Sequence, residues 1–307
     1  MEKTSEHRPS TLALPEKRKR GAAPLSPGRE TAFGCPRDFL DNRFVYAVVS
    51  SRARGLSVGV NLNPDRSCNF KCVYCEAQSP EPARESRLDP EIMAQELRHT
   101  LAFVMGGRLR ERLWYHSLPD ELLQLRHVTL SGDGEPTFAP NFVEAVQAVV
   151  HVRALGEFPF FKIVLITNGT GLDQDHVQQG LKQFTQSDEI WIKLDGGTQA
   201  YLNRVNGAEV PLEKILANIR LLSRTRPVIV QSLFPLLHGE EPPPEEIEQY
   251  ALRLKELVTS GAQISLVQIY SATRPTPNSD CTHLPLKTLS RIAESVRQIT
   301  GLKTEVF

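Results

Sequence analysis

From Phe33 to the C-terminus the sequence alternates short apolar runs with amphipathic segments, about six times over. RFVYAVVSS and LSVGVNL read as a strand pair joined by a turn at Arg52 to Gly55. HVTLSG, KIVLITNG, EIWIKLDG, PVIVQSLF, QISLVQIYS and the closing LKTEVF read as further strands, rich in β-branched residues. Between them stand helical patterns. DPEIMAQELRHTLAFVM carries Asp89 as its cap and Pro90 at the first helical position. PNFVEAVQAVVHVRAL, DQDHVQQGLKQFTQ, PLEKILANIRLLSRT, PPEEIEQYALRLKELVTSG (with Gly261 as C-cap) and PLKTLSRIAESVRQITG follow. Near-continuous apolar strands separated by helices specify a largely parallel sheet in an α/β fold. A doubly wound sheet and a barrel both satisfy that rule. Six or seven repeats fit an incomplete TIM-like (β/α)6 barrel.

In such barrels the chemistry sits on the loops that follow the strands. The polar and glycine-rich segments fall there: CNFKCVYC after LSVGVNLNPDRS, SGDGEPT after HVTL, TNG after KIVLI, KLDG after EIWI and ATRP after VQIYS. Five loops therefore converge on one mouth. His238 and Arg274, after the fifth and sixth strands, are candidate substrate contacts, although an ordinary loop role suits His238 better. Lys71 reads as a solvent or backbone contact.

No composition break divides residues 33–307, which read as one domain. Residues 1–32 read as a disordered tail, with prolines at 9, 15, 24 and 27 and a KRKR run at 17–20 that reads as a solvated charge run. The tail holds seven of the 36 basic and four of the 36 acidic residues, leaving 29 and 32 in the remainder. A net charge of zero gives no global field toward nucleic acid or an anionic membrane. No apolar run approaches the roughly 20 residues of a membrane span, and MEKTSEHRPS lacks the apolar core of a secretory signal. The expected location is the cytoplasm, where thiols stay reduced.

Three of the five cysteines, Cys68, Cys72 and Cys75, lie within eight residues in a C-x3-C-x2-C pattern. That is too close for a disulfide framework. Structural zinc usually takes four ligands as two close pairs, and simple electron-transfer clusters also use four thiolates. Cys35 and Cys281 stand far off in sequence. Three thiolates can instead hold three corners of a four-iron cube and leave one iron without a protein ligand.

The spacing, with Tyr74 directly before Cys75, resembles the signature of the radical S-adenosylmethionine (radical SAM) superfamily. The resemblance implies a [4Fe–4S] cluster on Cys68, Cys72 and Cys75. Its open iron would chelate S-adenosylmethionine. Reductive cleavage would then release methionine and a 5′-deoxyadenosyl radical, the cofactors carrying the chemistry. SGDGEPT occupies the place of the superfamily's GGE motif, with Gly132 and Gly134 flanking Asp133 and followed by Glu135. The resemblance makes these four residues, with Asn168, Lys193 and Asp195, candidate contacts for the sulfonium cofactor. Gln231, Ser232, Tyr270 and Ser271 lie where the adenosyl group would be held. It also implies an electron donor such as flavodoxin or ferredoxin.

Within the superfamily, SRARGLSVGVNLNPDRSCNFKCVYC, SGDGEPT, ITNG and KLDGG resemble the group containing the tRNA wyosine synthases. That group uses a second iron–sulfur cluster. Here only Cys35 and Cys281 remain after the triad, fewer than the roughly three further thiolates needed. The core is also not basic. The expectation is a single-cluster relative, an iron–sulfur oxidoreductase-type enzyme whose substrate, a small molecule or a tRNA, is unassigned. A wyosine-type tRNA enzyme and a non-enzymatic metal-binding module are the alternatives.

Overall fold

The computed structural model describes residues 39–77, 83–273 and 278–307. The tail at 1–32, Cys35 and Arg274 lie outside them. The elements run β1 Val45–Ser50, β2 Gly55–Asn61, α1 Pro90–Met105, α2 Asp120–Leu123, β3 Leu125–Ser131 and α3 Phe142–Ala154. Next come β4 Lys162–Thr167, α4 Asp175–Leu181, β5 Glu189–Lys193, α5 Gln199–Asn206, α6 Leu212–Ser223 and β6 Val228–Leu233. The chain ends with β7 Pro235–Leu237, α7 Pro244–Thr259, β8 Ile264–Tyr270, β9 Cys281–His283, α8 Leu286–Thr300 and β10 Thr304–Val306.

Eight strands form one sheet in the order β1-β2-β3-β4-β5-β6-β8-β10. Every neighbouring pair is parallel except the β1–β2 hairpin. The expected (β/α)6 half-barrel is therefore present: six strands, from β2 to β8, are each followed by helix. The strands' two faces bury different residues. Val58, Val128, Ile163, Ile190, Val230 and Val267 join the main core with the helices. Val164, Trp191 and Ile229 form a separate apolar cluster with Ile166 and Leu266 on the other face. The period of two along each strand thus separates an outer core from an inner lining.

The sheet does not close, and β1 and β10 are its two edges. The β1–β2 turn bridges toward the opposite edge. Arg54 pairs with Glu305 of β10 at 3.0 Å, and the Arg52 guanidinium lies 4.1 Å from the Tyr270 ring centre at the end of β8. Strand stagger in a curled sheet brings a turn at one edge to the level of a strand end at the other.

Helix α1 starts as the sequence indicates. Asp89 is extended, its carboxylate accepts from Glu91 N at 2.9 Å and Ile92 N at 3.1 Å, and Pro90 opens the helix. Asp89→Ala removes that acceptor and is expected to cost about 1 kcal/mol in urea unfolding with an unchanged m-value. A loss below a few tenths would show that solvent caps this end equally well. No helix among the described residues is long and apolar enough to cross a membrane.

Candidate functional site

A cavity of about 590 Å³ opens at the C-terminal ends of the parallel strands. Its wall includes Cys68, Cys72 and Cys75, the Ser131–Pro136 loop, Asn168, Lys193, Tyr270 and Ser271. The expected convergence of loops is thus found for those after β2, β3, β4 and β8, and for the end of β5.

The cysteine loop is held on three sides by backbone bonds and amide side chains. Leu62 N donates to Ser131 O at 2.7 Å and Glu135 N to Ser67 O at 2.9 Å, joining it to the loop after β3. Lys71 N and Val73 N donate to Asn206 O and Val205 O at 2.8 and 2.9 Å, joining it to the end of α5. Asn168 Nδ2 donates to Asn69 Oδ1 at 2.8 Å, joining it to the loop after β4.

Gly132 and Gly134 serve this docking. A Cβ at Gly134 would sit 1.9 Å from Ser67 O, and one at Gly132 would sit 2.4 Å from Asn63 Oδ1. Only glycine allows the two loops this approach. Asn61, the last residue of β2, fastens the residue between them: its Nδ2 donates to Asp133 Oδ2 at 2.8 Å and its Oδ1 accepts from Asp133 N at 2.9 Å.

Glu135 is buried and fully engaged. It accepts from Thr137 N at 3.1 Å, Thr137 Oγ1 at 2.7 Å, Thr167 Oγ1 at 2.5 Å and Asn168 N at 2.7 Å. Burial raises its pKa, and these four donors work against that rise. Its carboxylate clamps the β4 loop to the β3 loop beneath the cavity wall.

Asp195 is 1% exposed and lies behind the lining. One oxygen accepts from Leu233 N at 2.8 Å. The other accepts from Asn206 Nδ2 at 2.7 Å and from the Tyr74 hydroxyl, with Lys193 Nζ at 3.6 Å. Burial works against the Lys193 ammonium, but Asp195, Tyr270 and Cys72 outweigh it and hold its pKa above the ordinary lysine value. Burial, then the Asp195 charge, drives the Tyr74 phenol well above its usual range.

Burial pushes the Cys68 thiol up to about 11 and the Cys72 thiol to about 12. Such thiols become thiolates only against a compensating cation, and metal binding supplies one. N–H groups already point at the sulfurs: Phe70 N lies 3.4 Å from Cys68 Sγ, and Asn206 Nδ2 lies 3.3 Å from Cys72 Sγ. Among the described residues, no three His, Cys, Asp or Glu side chains gather as a site for a single ion. Three thiols along one cavity wall, with amide donors behind them, fit a multi-iron cluster anchored at three corners.

Other candidates fall elsewhere. Gln231 bonds Gln268 at 2.8 Å inside the half-barrel, Ser232 pairs with Tyr250 at 2.5 Å, and neither lines the cavity. His238 is exposed, adopts φ 55° and faces Asp280 at 3.4 Å beside the small β7–β9 sheet. Cys281 is buried in β9. Two cavity-region residues escape the strand-end rule: Arg52, from the opposite hairpin turn, and Asn206, at the end of α5. The hydrogen bond of Asn206 to Cys72 depends on a helix that the sequence hides behind a glycine pair.

The model of the radical SAM superfamily matches residues 62–254. A UPF0026 protein of Helicobacter pylori J99 is 26% identical over 228 residues, covering 73% of this chain and 66% of its own length, just under two thirds. A UPF0026 protein of Synechocystis is 28% identical over 239 residues, covering 76% and 77%. Among solved structures, TYW1 with a lysine-pyruvate adduct aligns with a TM-score of 0.55 at 14% identity over 86% of each chain. Streptococcus suis SuiB bound to S-adenosylmethionine aligns at 0.53 and 15%, over 83% of this chain and 52% of SuiB. These structures share the half-barrel fold. With the family match spanning more than half its length, the chain belongs to the radical SAM superfamily.

Proposed function

We propose that this protein is an enzyme that reductively cleaves S-adenosylmethionine at a [4Fe–4S] cluster held by Cys68, Cys72 and Cys75. The observation that carries the reading is the placement of all three thiols on the wall of one cavity, with no fourth cysteine in the lining among the described residues, beside the glycine-bearing loop after β3. When bound, the cluster and its sulfonium cofactor supply one-electron cleavage and a 5′-deoxyadenosyl radical. The chain's own part is orientation and exclusion of water. Gly132, Asp133 and Gly134 offer backbone close to the cysteine loop for the methionine end. Glu135 keeps that loop in place, Asn168 lies on the wall for ribose contacts, and Lys193 offers an ammonium held in position by Asp195. A cytosolic donor such as flavodoxin or ferredoxin supplies the electron.

Anaerobic reconstitution tests this. About four irons per chain and release of 5′-deoxyadenosine under dithionite are the expected results. Stoichiometric zinc with no cofactor cleavage would refute it and favour a metal-binding module. A tRNA-modifying reaction is the second reading, favoured by the resemblance of SRARGLSVGVNLNPDRSCNFKCVYC, SGDGEPT, ITNG and KLDGG to the tRNA wyosine synthase group. Comparison of modified nucleosides and small metabolites with and without the protein separates the two substrate classes.

A further inference from the structure

The last turn of α5 straddles Cys72. Lys71 N and Val73 N, on either side of that cysteine, donate to Asn206 O and Val205 O at 2.8 and 2.9 Å. The chain leaves the helix at Gly207 with φ 53°, and a Cβ there would lie 2.9 Å from Lys71 Cβ. Glycine lets the helix end this close to the cysteine loop. The Asn206 side chain is thereby delivered to the sulfur between the two backbone bonds, with Nδ2 at 3.3 Å from Cys72 Sγ.

The orientation of that buried amide is fixed. One N–H is taken by Asp195 Oδ2 at 2.7 Å. The other faces the Tyr74 oxygen at 3.0 Å and Cys72 Sγ at 3.3 Å. A rotated amide would set its oxygen against the Asp195 carboxylate. Asp195 is itself pinned by Leu233 N at 2.8 Å, with Lys193 Nζ at 3.6 Å, so the amide hangs from a rigid anchor. Asn206 Oδ1 is buried and has no hydrogen-bond partner among the described residues. A buried acceptor without a donor costs stability, so it is the N–H groups that suit asparagine to this position.

We infer that Asn206 is a positioning residue for the cluster, its amide N–H on Cys72 Sγ raising the reduction potential so that a cytosolic donor can reduce it. This rests on the reading of Cys72 as a cluster ligand. An added electron places more negative charge on the sulfurs, so an N–H donor binds the reduced form more strongly than the oxidised one. Burial keeps water from screening the difference. At Cys68 the N–H comes from the backbone of Phe70, at 3.4 Å, and survives side-chain substitution. At Cys72 it comes from a side chain, which can be changed.

The test uses the full chain, reconstituted anaerobically without S-adenosylmethionine. Asn206→Leu keeps the volume and removes both N–H groups. Its one-electron midpoint, from a mediated titration followed by EPR, is expected to fall by about 59 mV, a tenfold weaker reduction equilibrium and the loss of one hydrogen bond to a charged group. Iron content should match the parent. A side chain that only braced α5 would lower the thermal midpoint and leave the potential where it was. A second measurement needs no variant. With asparagine labelled by heavy nitrogen at the side-chain amide, pulsed EPR of the reduced parent is expected to show a coupled nitrogen. Asn69, the other asparagine of the loop, turns its amide nitrogen to Thr170 at 3.1 Å. The inference is overturned if the midpoint of Asn206→Leu is unchanged or rises, or if no labelled nitrogen couples in the parent. If Asn206→Leu does not fold or load, the labelled parent decides alone. A parent chain that takes up no cluster refutes the proposed function together with this assignment, whereas a loaded parent without the coupling refutes this assignment only.

Discussion

Replacing Cys72 with alanine is expected to abolish cluster loading and S-adenosylmethionine cleavage while leaving the half-barrel folded. Three thiols are the smallest anchor that leaves one iron of a cube open, so two do not hold it. The fall in 5′-deoxyadenosine formation should exceed roughly 100-fold, the upper end of what losing a hydrogen-bond partner of a ligand costs. The fold should survive because the loop is fastened through other atoms. Lys71 N and Val73 N reach α5, Glu135 N reaches Ser67 O, and Asn69 reaches Asn168. Loss of one half-buried sulfur should cost about 1 kcal/mol. Iron analysis, visible absorbance and thermal unfolding of the variant check this together. A variant that retains four irons, or one that no longer unfolds cooperatively, would contradict it.

The sheet is legible in the sequence because its strands are buried on both faces and read as unbroken β-branched runs. KIVLIT and EIWIK need no context to be recognised. Helix α1 is equally legible, with its cap and proline written locally. The cysteine triad is legible because three ligands to one cluster come from one loop, so spacing alone carries the chemistry. What the sequence does not display depends on tertiary placement. Helix α5 has only eight residues and directly follows Gly196, Gly197 and Thr198, so QAYLNRVN reads as loop. With the helix goes Asn206, whose amide touches Cys72, Tyr74 and Asp195. Strands β7 and β9 have three residues each, too few for a period to show. Arg52 is the clearest case. Its turn is visible, but its arrival beside Tyr270 follows from the stagger of a curled sheet, which no local pattern encodes.

Asp195→Ala is expected to destabilise the protein by about 3–5 kcal/mol, the cost of breaking a buried charge pair from one side. Four groups depend on this carboxylate. Leu233 N and Asn206 Nδ2 donate to it at 2.8 and 2.7 Å, the Tyr74 hydroxyl donates to the same oxygen as Asn206, and Lys193 stands at 3.6 Å. These groups come from β6, α5, the cysteine loop and β5, so the one side chain ties together four segments around the cavity. Alanine leaves the donors without an acceptor and the Lys193 ammonium without its anion, in a site 16% exposed at the lysine side chain. Asp195→Asn should cost less. It keeps one carbonyl oxygen as acceptor, but its amide group adds a donor to a site already full of them. The diagnostic variant is the double one. Lys193→Met in the Asp195→Ala background removes the unpaired charge and should recover part of the loss, so the two substitutions should be non-additive in urea unfolding. Strict additivity, or a single-variant loss under about 1 kcal/mol, would mean that water reaches Lys193 and that Asp195 does not hold the cavity wall together.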